Sequence, residues 1–108
     1  MNEWIYLTLA IVFEVAGTTA MKVSDGFSKL VPSIWMAIFY LLSLSALTFA
    51  LKKIDMSISY AIWAGVGTAL ITIIGIVAFK EEINLIKVVS IILIIAGVIG
   101  LHLSSKGA

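Results

Sequence analysis

Four apolar stretches, each roughly 17 to 24 residues long and separated only by short polar joints, leave this chain few ways to fold. They run from Trp4 to Met21, Ser33 to Leu51, Met56 to Phe79 and Leu85 to Leu103. A helix of that length crosses a hydrocarbon core of roughly 30 Å. Strands are the competing reading, because Ile and Val crowd Ile71 to Ile76 and Val88 to Ile95. In lipid an open sheet would strand its backbone polar groups, and four segments cannot close a barrel of about eight or more strands. The expectation is an all-α membrane protein, one four-helix transmembrane domain over residues 1–108.

The joints support that organisation. Lys22, Ser24, Asp25, Gly26, Ser28, Lys29 and Pro32 form the first, and the lone proline suits a helix start, where its missing N–H is no loss. Lys52, Lys53 and Asp55 form the second; Lys80, Glu81, Glu82 and Asn84 form the third. Connections this short predict antiparallel neighbours in an up-down-up-down bundle. The chain is 62% hydrophobic and 12% charged, which places it in a cell membrane as a multi-pass protein. Its first apolar stretch lacks a basic leader and is expected to stay in the mature protein. With no cysteine and a formal net charge of +1, neither disulfides, thiolate metal sites nor a nucleic-acid partner is expected.

Glu14 stands in the middle of the first stretch, where nothing else between Trp4 and Met21 is charged. A carboxylate at bilayer depth costs a few kcal/mol or more, and marks a site for ions, protons or charged substrate. At helical spacing its neighbours are Leu7, Ala10, Ile11, Gly17, Thr18 and Met21. Ala10, Gly17 and Thr18 leave a low, partly polar wall beside it, or else let another helix approach.

Tyr60 and Trp63 fall three apart on the third helix and share a face. Two rings beside a buried anion suit an organic cation, although an interfacial aromatic belt is the alternative. Gly65 and Gly67 follow them, offering either a hinge or a tight helix contact. On the second helix, Tyr40, Ser43 and Leu47 fall at i, i+3 and i+7 and could form a third wall. Ser43 and Ser45 could equally satisfy carbonyls of their own helix. The fourth helix offers Ser90, Gly97 and Gly100 as small contact points for joining protomers. Trp4 and Tyr6 read as boundary anchors and His102 as a headgroup-level residue.

Lysines are almost balanced across the membrane. The first and third joints and the residues just beyond them carry Lys22, Lys29, Lys80 and Lys87, against Lys52, Lys53 and Lys106 on the other side. Orientation follows a Lys/Arg excess, so near-parity predicts insertion both ways round, the alternative being that a weak bias still fixes one orientation. Transporters use inverted repeats to present one site to either side in turn. This chain has no internal repeat, and two copies in opposite orientations would supply the symmetry. A dimer is therefore the smallest expected working unit.

Phe13-Glu14-Val15-Ala16-Gly17-Thr18-Thr19, Lys22, Gly26-Phe27, Pro32-Ser33, Tyr60-Ala61-Ile62-Trp63-Ala64-Gly65-Val66-Gly67 and Ala96-Gly97-Val98 together resemble the small multidrug resistance family across all four helices. The resemblance implies an antiparallel dimer whose paired glutamates, here Glu14, exchange protons for cationic compounds. It implies that Tyr60 and Trp63 are binding aromatics, and that Leu7, Ala10, Gly17, Thr18, Tyr40, Ser43 and Leu47 line a cavity. Guanidinium exporters of the family typically carry tryptophan three residues after the glutamate; Gly17 there is similar to the quaternary-ammonium and multidrug branch. Trp4 and Ser90 depart from the family pattern. Some relatives work as pairs of different chains, so the partner is a second copy or a related chain.

These readings converge on a proton-coupled exporter of hydrophobic or quaternary ammonium cations, in which proton and cation compete for Glu14. Guanidinium or polyamine export by the same architecture is the alternative within the class. A non-transporting membrane assembly subunit is the alternative outside it. No nucleophile, metal set or phosphate loop suggests an enzyme, and no cofactor is expected.

Overall fold

The computed structural model describes residues 2–107, with side chains over residues 3–104. Every regular element in it is helical: α1 (Asn2–Val23), α2 (Leu30–Ala50), α3 (Met56–Ala78) and α4 (Leu85–Gly107). All four are long and apolar enough to cross a membrane. Isoleucine and valine do not prevent this, because inside lipid only a helix satisfies each backbone group within its own segment.

α1 extends past both of its expected ends, and α2 starts before Ser33 and stops at Ala50, just short of Leu51. α2 starts at Leu30, so Pro32 lies in its first turn, where N–H groups have no intrahelical acceptor to lose. Between α1 and α2, Ser24 is 1% exposed and organises the turn. Its hydroxyl donates to the Met21 carbonyl at 2.7 Å and accepts from the Phe27 N–H at 3.2 Å. Asp25, Gly26 and Phe27 all adopt left-handed backbone there.

Spatial order differs from chain order. α1 packs against both α2 and α3, and α4 packs against α3, giving the row α2–α1–α3–α4. The Cα extents of 46 × 35 × 17 Å describe a plate. Among the described residues none on α4 is buried, and its half-buried positions Lys87, Ile91, Ile94, Val98, Leu101 and His102 mark the face turned to the rest of the protomer.

The main core cluster lies toward one end of the helices. Leu7, Ala10, Ile11 and Val15 of α1 meet Ala46, Leu47 and Ala50 of α2, Ile54 of the joint and Ile62 of α3. These are the first half of α1, the last turns of α2 and the first half of α3. Toward the other end, α1 and α3 part around a cleft of about 440 Å³. The protomer is thus packed at one end and open at the other.

Candidate intramembrane carboxylate site

Glu14 sits where the packed half gives way to the open half. Val15, beside it, closes the core, and Thr18, one turn further on, already lines the cleft. Its carboxylate lies against Gly67 of α3, where any side chain would collide with it; a Cβ there would fall 3.1 Å from the Glu14 Cδ. Gly67 is buried for that reason. Only the absence of a Cβ lets α3 receive the acid.

The carboxylate is tied into a short polar chain. Thr18 Oγ1 donates to Glu14 Oε2 at 3.3 Å, and the Thr18 and Tyr40 hydroxyls hydrogen-bond each other. Tyr40 reaches α1 because Gly17 has no side chain. A Cβ on Gly17 would lie 3.1 Å from Tyr40 Cδ2 and 3.2 Å from Cε2. Gly17, Thr18 and Tyr40 thus belong to one construction, with Glu14 at its end.

A second polar contact ties the three helices together below that level. Ser43 is fully buried, and its hydroxyl donates to the Ala10 carbonyl of α1 at 2.6 Å rather than to a carbonyl of α2. Ser45 does the opposite, bonding Leu41 of its own helix at 2.8 Å. Trp63 Nε1 donates to Ser43 Oγ at 3.4 Å, so the indole is oriented by α2. Tyr60 leans on Trp63 with ring centroids 5.2 Å apart and planes at 52°. Tyr60 itself remains 58% exposed, an aromatic face open to whatever lies beside the protomer.

The other expected site residues are distributed as follows. Leu7, Ala10 and Leu47 pack within the core. Gly65 receives α4, since a Cβ there would meet Val98 Cγ2 at 2.8 Å and Ile94 Cγ2 at 3.3 Å, and α3 runs unbroken through both glycines. Ser90 and Gly97 lie on exposed α4 surface, Gly97 with nothing within 4 Å of its added Cβ. Trp4 packs against the core and edge-on to His102, with centroids 4.8 Å apart. Among the described residues no three His, Cys, Asp or Glu side chains converge as a metal site would require.

One feature of this region was not anticipated from sequence. Glu81, read only as a joint residue, folds its carboxylate back against Gly75 of α3, eight residues after the Gly67 seat. The available signal was a glycine one turn before the helix end. Glycine spacing alone does not say what fills the gap.

Four membrane-length helices, the first with a carboxylate near its middle, define a multi-pass membrane protein. The chain belongs to the small multidrug resistance family: the family model described as Small Multidrug Resistance protein matches residues 2–94. It is a plasma-membrane protein. It is 54% identical to the uncharacterised membrane protein YvaE of Bacillus subtilis (strain 168), over 94% of this chain and 85% of that one. To the quaternary ammonium compound-resistance protein QacH of Staphylococcus saprophyticus it is 48% identical, over 92% of each chain. The multidrug resistance protein EbrB of Bacillus subtilis (strain 168) is 44% identical, over 100% of this chain and 92% of EbrB.

Proposed function

We propose that the chain exports quaternary ammonium and other lipophilic cations in exchange for protons, working as an antiparallel dimer that carries one Glu14 from each protomer. The observation that carries this reading is the seat of Glu14 on Gly67, at the boundary between the packed and open halves. Thr18, which lines the cleft, hydrogen-bonds the acid there, while the packed core lies on its other side. The relatives named for quaternary ammonium and multidrug resistance support the substrate class.

The mechanism is competition for one charge. A carboxylate in lipid can be neutralised by a proton or paired with a cation, and both cannot occupy it together. Thr18 orients the carboxylate, and Tyr60 with Trp63 offers ring faces to a cation's positive charge. When the dimer exchanges its open and packed ends, the occupant is released on the other side; the hinge expected at Gly65 and Gly67 would have to flex α3 while these glycines keep their contacts with α4 and Glu14. Inward proton flow then drives cation export. The exposed α4 face bearing Ser90 and Gly97 is the proposed protomer contact, with a second copy or a related chain as partner.

Liposomes containing only this chain, loaded under an imposed pH gradient, test the reading. A tetraphenyl-type cation should be moved against its gradient, guanidinium poorly, and Glu14→Gln should abolish both movements. Transport by the Gln variant, or a preference for guanidinium, would overturn it.

A further inference from the structure

The cleft beside Glu14 has its own carboxylate. Thr18 stands at the inner end, and Lys22, Glu81 and Lys87 at the end nearer the helix termini. On α1, Glu14, Thr18 and Lys22 follow one another at four-residue spacing, so a single helix face leads from the intramembrane acid to this mouth. About 440 Å³ is within the range of small-molecule sites, roughly 300 to 1,000 Å³. Its walls, including Met21, Ile71 and Phe79, are largely apolar.

Glu81 is held there by construction. Lys80 takes left-handed backbone with φ 56°, and the Phe79 and Glu81 N–H groups both donate to the Gly75 carbonyl, at 3.2 and 3.0 Å. This closes the end of α3 and turns the Glu81 side chain onto Gly75. Gly75 is buried, and a Cβ on it would lie 2.8 Å from the Glu81 Cδ. A carboxylate at a helix C-terminus adds to the partial negative charge already carried by the last carbonyls, so the position favours a cation. Of the two lysines at the mouth, Lys87 directs its ammonium to the Glu82 carbonyl at 2.5 Å.

We infer that Glu81 on its Gly75 seat is a second cation-binding group, which takes a lipophilic organic cation at the mouth of the cleft before it passes to Glu14. The inference rests on the export reading above. A guest there meets apolar walls, the Glu81 carboxylate and the carbonyl end of α3, with the Lys22 and Lys87 ammonium groups at the same mouth confining it to the Glu81 side. Its onward path runs along the face of α1 that carries Thr18.

The test uses the full chain in liposomes and follows uptake of a tetraphenyl-type cation. Glu81→Gln should raise KM on the order of three- to tenfold, the effect of one unit charge near water, while the maximal rate is retained. Raising the ionic strength should narrow the KM difference between the Gln variant and the unmodified chain, a change that a purely structural role would not produce. Gly75→Ala should raise KM similarly with every charge kept, because its Cβ displaces the carboxylate. A Gln variant with unaltered KM and unaltered salt dependence would overturn the inference. If Glu14→Gln is inactive while Glu81→Gln behaves as the parent, only the outer site fails; if Glu14→Gln transports, the export reading fails.

Discussion

Two buried positions in α3 show how single atoms decide what this protein tolerates. At Gly67 the missing Cβ is occupied by the Glu14 carboxylate, so Gly67→Ala must push the acid from its seat. Transport should fall by about tenfold or more, as expected when a binding group loses its geometry by an ångström or so; flux assays against a folded-protein control check it. Ser59 presents the opposite case: its hydroxyl is buried with no hydrogen-bond partner among the described residues. Removing an unsatisfied buried hydroxyl is neutral or stabilising, so Ser59→Ala should leave Tm unchanged or raise it, by the equivalent of about 1 kcal/mol. A clear loss of Tm would show that the hydroxyl has a partner. Glu14 itself was legible from charge alone, because an acid inside an apolar stretch has no other cheap explanation. Its glycine seat was not legible: Gly67 reads equally as hinge, contact or cradle until the facing helix is known.

Among the elements, helix identity followed from length and apolar composition, while helix neighbours did not. A helix that is apolar on nearly every side announces no preferred face, so nothing in α1 or α2 declared that α1 lies between α2 and α3. Ser43 illustrates the limit. Serine in a membrane helix satisfies its own backbone as readily as a neighbour's, and only the approach of α1 sends its hydroxyl to Ala10 while Ser45 stays with Leu41. α4 is joined to the row at Gly65, where a Cβ would press 2.8 Å from Val98 Cγ2. Gly65→Ala should therefore move α4 outward, and crosslinking between cysteines placed at Ala61 and Leu101 should slow relative to the parent glycine background. Unchanged crosslinking would mean that α4 is held elsewhere, for instance by Trp4 against His102.

As a whole, the molecule is a plate, packed at one end and cleft at the other, with an acid at the transition. The near-parity of lysines on the two sides of the membrane fits the proposal that an inverted second copy completes it. Such a pair would hold two Glu14 carboxylates, reached from one side of the membrane at a time. The most direct measurement is proton release when a quaternary ammonium cation is added to the purified, weakly buffered protein near neutral pH. Proton–cation competition at Glu14 predicts release that saturates with the cation and vanishes in Glu14→Gln. Release that persists in the Gln variant, or cation binding by the unmodified chain with no proton released across the titration range of the carboxylate, would contradict it.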